Sequence, residues 1–297
     1  MDDRYQFIIR DEDKELPIKE LLKRRLGISS RLLRKLKEGD LVYLGDRKVR
    51  LYEKGKEGEQ ITVLLPSESS DFIPEDIPIE IIFEDSDLLA INKQPGHVVH
   101  PTKGHPHNTI ANGLMKYMLD KGDSYKIRFI NRLDMDTTGV LLIGKNPYCQ
   151  DAFTKQASEG KVEKRYIAVV KGLVMQDRGT IDQPIAKLSE DSIKRAVLPD
   201  GYPSVTHYEV LERFQSGYTL VRLLLKTGRT HQIRVHMSYI GHPLTGDALY
   251  GDGSSDLIDR QALHSEVLSF SHPLTGERLS VYAPLPKDMR DLISFLR

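Results

Sequence analysis

The chain has 297 residues, a length that suggests roughly two domains and leaves room for a sizeable buried core. It is 39% hydrophobic and 29% charged, with Lys+Arg 43 against Asp+Glu 43, so it reads as soluble and globular with no polybasic tail or acidic coat to announce a partner. Its single cysteine, Cys149, excludes an internal disulfide framework, argues against a thiolate-rich metal site and suits a reducing compartment.

The opening residues, MDDRYQFIIRDEDKELP, lack the basic start and apolar run of a secretory signal. No apolar stretch approaches about 18 residues, so no membrane segment is expected and a cytoplasmic location follows by default. Residues 17–38, PIKELLKRRLGISSRLLRKLKE, predict two short helices parted by Gly27, with Ser29 or Ser30 capping the second. Leu32, Leu33 and Leu36 fit one apolar stripe, which leaves Arg31, Arg34, Lys35 and Lys37 largely on the wet side. Eight Lys or Arg lie between Lys19 and Lys37 against Glu20 alone, which describes either a solvated face or a patch for RNA phosphates. Asp40 to Tyr43, a turn at Gly45-Asp46 and the run Gln60 to Leu65 suggest a small hairpin or curled sheet, closing a unit of residues 1–65.

From Pro66 to Asp87 there are eight acidic residues and no Lys or Arg, with Pro66, Pro74 and Pro78 among them. This pattern predicts an acidic linker over 66–78 and a second unit over 79–297. In that unit strands are expected at Asp87 to Asn92, Ile127 to Ile130, Gly139 to Ile143, Tyr166 to Val170, Thr206 to Leu211 and Tyr218 to Leu225, the last two joined by a turn at Ser216-Gly217. Helices are expected at Asn108 to Asp120, Pro147 to Ser158, Thr230 to Ile240 and Lys287 to Arg297. The spacing is too irregular for alternating parallel strands and helices, so the fold class is α+β: a large mixed, mainly antiparallel sheet flanked by helices and loops, with a small α+β unit in front.

Three chemical signals fail. Gly139 to Lys145 copies most of a phosphate loop, but Asn146 stands where a magnesium-binding Ser or Thr is needed, and the intervening residues form an apolar strand. His97, His100, His105 and His107 crowd one Pro- and Gly-rich segment with no acidic or thiol ligand, so loop or substrate contacts are favoured over zinc. No G-x-S-x-G elbow supports a serine hydrolase. Two other segments are dense in polar groups and bracketed by strands: Ile130 to Gly139 and Lys226 to His236, with Glu163-Lys-Arg-Tyr166 between them. Each is either a loop held by its own hydrogen bonds or a site, and a carboxylate with arginines beside a strand end, costly to bury unpaired, favours the site.

These segments resemble known families. The stretch Ser30-Arg31 to Lys37-Glu38-Gly39 resembles the alpha-L RNA-binding domain, although Tyr43-Leu44-Gly45 stands where that family usually has Val-Asn-Gly. The run Arg132-Leu133-Asp134-x-x-Thr137-x-Gly139 resembles the catalytic signature of RluA-family pseudouridine synthases, with Asn131 replacing the more common His. The resemblance continues through Lys93-x-Pro to His100-Pro101, Lys164-x-Tyr166-x-Ala168, Thr227 to His236, Gly241 to Asp247, Leu263-His264, His272-Pro273 and Ala283 to Pro286.

The resemblance implies isomerisation of uridine in structured RNA to pseudouridine, with large-subunit ribosomal RNA as the first expectation and transfer RNA as the alternative. An RNA binder that has lost catalysis is a further alternative, against which Asp134, Tyr166 and Arg234 stand intact. It implies Asp134 as the essential carboxylate, acting at the anomeric carbon, at uracil carbon 6 or through a glycal. It further implies that Arg234 pairs with Asp134 and that Tyr166 stacks on the base and helps move a proton, the alternative being a core aromatic that caps the pocket. Arg132 is expected to fill the space left by the flipped nucleotide. Lys93, His100, Thr137, Lys164, Arg229 and Gln232 are expected to support or contact substrate, Leu263 lines the base pocket or packs in the core, and Arg31, Arg34 and Lys35 grip RNA phosphates. Isomerisation needs no net oxidation or hydrolysis, so no cofactor or metal is expected; nor is a membrane partner, and the chain is expected to be a monomer.

Overall fold

The computed structural model describes residues 4–251 and 257–297. In the amino-terminal unit β1 (Arg4–Ile8) leads to α1 (Ile18–Leu26), which stops at Gly27 in a left-handed conformation, φ +66°. The Ser29 hydroxyl accepts the Leu32 amide and so starts α2 (Ser30–Glu38), whose Leu32, Leu33 and Leu36 are buried. A turn at Gly45-Asp46 joins β2 (Val42–Leu44) to β3 (Arg47–Lys48), and β4 (Gln60–Leu64) completes a four-stranded sheet in the order β1-β4-β2-β3. Sequence patterning does not reveal β1, because Ile8 points outward and breaks the apolar alternation.

The rest of the chain runs through β5 (Ile81–Glu84), β6 (Leu88–Lys93), α3 (Ile110–Lys121), β7 (Arg128–Phe129), β8 (Thr138–Gly144) and α4 (Pro147–Ser158). It continues through β9 (Glu163–Lys171), β10 (Arg178–Asp182), β11 (Ile185–Lys187), β12 (Arg195–Val197), β13 (Val205–Phe214) and β14 (Tyr218–Leu225). It ends with α5 (Gln232–Tyr239), β15 (Leu263–Ser271), β16 (Arg278–Tyr282) and α6 (Lys287–Leu296). Ten strands form one sheet with the path β10-β13-β14-β9-β15-β8-β6-β5, to which β16 and β7 attach at β15 and β8. Among the described residues only the pairing of β15 with β8 is parallel in this sheet. This is the expected α+β class, while β11 and β12 stand apart as a separate hairpin.

Period-two alternation puts apolar side chains on both faces of the central strands. Leu89, Ile91, Leu141 and Ile143 pack with Ile110 and Leu114 of α3. Leu88, Ala90, Val140 and Leu142 join Phe153 of α4 in a cluster that runs on into the leucines of α1 and α2. The amino-terminal unit is therefore seated on the large sheet. Polar contacts fasten it: the Tyr5 hydroxyl donates to Asp87 at 2.7 Å, the Ser29 hydroxyl donates to Asp151, and Glu68 receives both Lys35 and Arg128. Residues 66–78 carry no helix or strand, yet the segment is bound down: Ser70 accepts the Ile127 amide, and Glu75 takes the amide of Asn108 and the ring of His107.

Candidate active site

Several strand ends converge on one cleft of about 940 Å³. Lys164 and Tyr166, two apart on β9, share a face and both line it. Leu263 enters from the start of β15, Asp134 from the loop before β8, and His231 from the left-handed turn (φ +57°) that begins α5.

The Asp134 loop is held by its backbone. Its turn closes through the Thr137 amide donating to the Asp134 carbonyl at 3.1 Å. The next three carbonyls are taken by two buried cations. The Lys93 ammonium donates to the Met135 and Thr137 carbonyls at 2.5 and 3.1 Å and to its neighbour Gln94 at 2.9 Å. Arg260 donates to the Asp136 carbonyl at 2.9 Å while its other nitrogens grip the Asp288 carboxylate at 2.7 and 3.0 Å. Burial pushes the Lys93 ammonium down to about 7, with the Asp136 carboxylate pulling the other way. Just beyond the loop, Gly139 has φ +108°, and a Cβ there would meet the Ser265 carbonyl oxygen at 2.1 Å. A glycine is required at this point because β8 and β15 run side by side in parallel there.

Asp134 shares a cation with a second acid. Arg234 donates from Nη1 to Asp134 Oδ2 at 3.3 Å, and from Nε and Nη2 to the two Asp247 oxygens at 2.7 and 2.8 Å. The bidentate pair with buried Asp247 fixes the guanidinium plane, so the nitrogen left over is aimed at Asp134. Burial opposes charge on Asp247, but Arg234 and the amides of Tyr250 and Leu249 outweigh it and hold the carboxyl below its ordinary range. His231 Nε2 lies 3.9 Å from the other Asp134 oxygen. Burial pushes the Tyr166 phenol up to about 12, so it remains a hydrogen-bond donor at neutral pH.

Comparison with known proteins matches a model described as RNA pseudouridylate synthase to residues 87–239, a span that holds Lys93, Asp134, Tyr166 and Arg234. The Uncharacterized RNA pseudouridine synthase YjbO of Bacillus subtilis (strain 168) is 45% identical over 272 residues, which cover 90% of this chain and 95% of that one. The chain belongs to the RNA pseudouridylate synthase family. A protein of Haemophilus influenzae, Ribosomal large subunit pseudouridine synthase D, is 40% identical over 275 residues, covering 88% of this chain and 84% of its own. Among solved structures, Human RNA Pseudouridylate Synthase Domain Containing 1 superposes with a TM-score of 0.58 at 26% identity, over 74% of this chain and 94% of that one. Family and fold together make this chain an RNA pseudouridine synthase, an isomerase.

Within this family site, the residues expected from sequence divide into those that face the cleft and those that brace it. Asp134, Arg132, Lys164, Tyr166, Arg229, Arg234 and Leu263 line it, with Arg132 exposed and Arg229 stacked at 5.3 Å over Tyr202. Burial pushes the Lys164 ammonium down. Lys93 corrects the expectation of a substrate contact: it is 1% exposed and its three N–H groups are spent on carbonyls. Gln232 does so too. Its oxygen accepts from Thr227 and Arg229, and its amide donates to the Val205 carbonyl and the Thr206 hydroxyl, which leaves nothing for RNA. His236 meets the same Thr206 hydroxyl from the next turn.

Thr137 is 2% exposed and serves the loop through its backbone, and its hydroxyl accepts from Gln261. His100 is exposed and does not line the cleft. Asn131, the departure from the common family form, braces β8 by accepting the Leu142 amide and donating to the Val140 carbonyl. On α2, Arg31 and Arg34 are exposed, whereas Lys35 is taken by Glu68 at 2.8 Å. The sequence does not single out Arg260 or Tyr250, whereas Asp247 ends the motif Gly241 to Asp247 and is marked by it.

Asp85, Asp87 and His272 lie at the opposite end of β6 with ligand atoms within 4.8 Å of one another. His272 Nδ1 accepts the Leu274 and Thr275 amides, so the ring proton sits on Nε2, 3.1 Å from Asp85 Oδ2. Nε2 lies near the carboxylate without hydrogen-bond geometry, and with its proton in place it offers no lone pair to a metal ion.

Proposed function

We propose that Asp134 is the catalytic carboxylate in the isomerisation of uridine to pseudouridine in structured RNA, and that the RNA is that of the large ribosomal subunit. The observation that carries this reading is a carboxylate open to the cleft on a backbone-clamped turn, facing a guanidinium whose plane Asp247 fixes. A carboxylate so oriented suits attack or charge stabilisation at the sugar or at uracil carbon 6. The reaction breaks the bond from uracil nitrogen 1 to the anomeric carbon and forms one from carbon 5. Carbon 5 then loses its proton and nitrogen 1 gains one, so the balance closes without oxidant or water. Tyr166, a neutral phenol on the cleft wall, stacks on the base and assists the proton movement at carbon 5. Arg132, exposed at the rim, fills the place of the extruded nucleotide, and Lys164 and Arg229 hold the flanking backbone.

The ribosomal reading is supported by the name of the Haemophilus influenzae relative. Residues 1–65 serve as an alpha-L type RNA-binding domain, gripping phosphates through Arg31 and Arg34 on the exposed face of α2, with 66–78 joining it to the catalytic domain over 79–297. The test is release of tritium from RNA labelled at uracil carbon 5, using large-subunit ribosomal RNA and transfer RNA from cells lacking the enzyme. Release from the ribosomal RNA alone is the expected result. Release from transfer RNA alone would move the substrate to that class.

A further inference from the structure

One polar atom at the cleft lacks a partner. Arg195, the first residue of β12, lines the cleft, and its Nη1 is enclosed by protein with no hydrogen-bond acceptor among the described residues. A desolvated guanidinium nitrogen without an acceptor is unfavourable until something brings one, and its fork matches a phosphate. The backbone of the same residue is engaged elsewhere: its amide donates to the Tyr250 hydroxyl oxygen at 2.8 Å. That hydroxyl lies 2.8 Å from His231 Nδ1. With its oxygen accepting from Arg195, Tyr250 gives its own proton to Nδ1, which leaves the ring proton of His231 on Nε2. Nε2 faces Asp134 Oδ1 at 3.9 Å, the carboxylate oxygen that Arg234 does not take. Burial pushes the pKa of His231 down; Asp134 and Asp247 pull it up, and Arg234 and Arg195 push it down, so the ring is neutral at pH 7.

We propose that Arg195 binds a backbone phosphate of the RNA beside the target uridine, and that its amide, through Tyr250 and His231, ties this contact to the orientation of Asp134. The inference rests on Asp134 being the catalytic carboxylate. Arg195 is then a substrate-binding residue of the β11–β12 hairpin, and Tyr250 and His231 are positioning residues.

The experiment uses the full chain and whichever RNA, ribosomal or transfer, the wild type modifies. RNA binding is measured against salt concentration, and tritium release is measured in single turnover at saturating RNA. Arg195→Ala, which keeps the amide, is expected to raise Kd about 10-fold and to lower the slope of log affinity against log salt by about one. Arg195→Lys is expected to restore the slope and part of the affinity. Tyr250→Phe is expected to leave Kd and slope unchanged and to slow the single turnover about 10-fold, and adding His231→Gln is expected to slow it little further.

An unchanged salt slope in Arg195→Ala would overturn the proposal. So would a wild-type turnover in Tyr250→Phe, including one accompanied by a lower Tm, which would mark a merely structural role. Asp134→Asn run alongside separates the two levels: activity there defeats the catalytic reading, whereas an inactive Asp134→Asn beside wild-type Arg195 and Tyr250 variants defeats this inference alone.

Discussion

At the scale of single residues, the proposed function asks that the Asp134 carboxylate be open to the cleft and aimed. Asp134 receives one guanidinium nitrogen, while Asp247 takes two from the same Arg234. Removing charge from Asp247 leaves a buried cation with half its partners, so Asp247→Asn is expected to lower stability by about 3–5 kcal/mol, read by urea unfolding. A loss below about 1 kcal/mol would show that the pair is not needed. Lys93 acts on the backbone instead, and Lys93→Ala frees the Met135 and Thr137 carbonyls. Its expected effect is a roughly 100-fold fall in single-turnover rate with RNA affinity unchanged, as a misplaced catalytic group costs rate and not binding. Weakened RNA binding at an unaltered rate would instead return Lys93 to the phosphate-contact role suggested by its charge.

At the scale of elements, the loop before β8 and the start of β15 form one unit, because Gly139 lets the two strands run side by side. Gly139→Ala would drive a methyl group into the Ser265 carbonyl, and a loss of about 3 kcal/mol or failure to fold is expected, measured by thermal unfolding. The legibility of the elements follows the same physics. The helix Pro147–Ser158 and the strand Tyr218–Leu225 are found in sequence to the residue, since Asn146 caps the first and Gly217 turns into the second. The strand Leu263–Ser271 is hidden because both of its faces are buried and His264, Ser265 and Ser269 spend their polar atoms inside, which erases any alternation. The hairpin of β11 and β12 is too short to show a period. In the site, Asp134, Tyr166 and Arg234 are legible as motif residues. Arg260 is not, because it reaches the Asp136 carbonyl across 124 positions of sequence. Lys93 and Gln232 read in sequence as polar residues that either support the site or contact substrate, and their burial commits them to support.

At the scale of the whole molecule, the amino-terminal unit and the large sheet share an apolar cluster and the contacts of Tyr5 with Asp87 and of Lys35 and Arg128 with Glu68. One cooperative thermal transition is therefore expected of the full chain; two resolved transitions in calorimetry would show that the units melt separately. Acid sensitivity also belongs to this scale. Burial pushes the pKa values of His231, His236 and His264 down, so between those values and the ordinary value near 6.5 the unfolded chain binds protons that the folded chain does not. Stability is expected to fall as pH drops from about 7.5 to about 5.5, read as a lower urea midpoint. A midpoint that stays flat would contradict neutral buried histidines.

Under the proposed function, this cleft makes pseudouridine in large-subunit ribosomal RNA through Asp134. The most direct measurement is mass-resolved mapping of pseudouridine in that RNA, taken from cells lacking the enzyme and incubated with the wild type or with Asp134→Asn. New pseudouridine with the wild type and none with Asp134→Asn is the expected result. The same sites formed by both proteins, or by neither when both are folded, would contradict it.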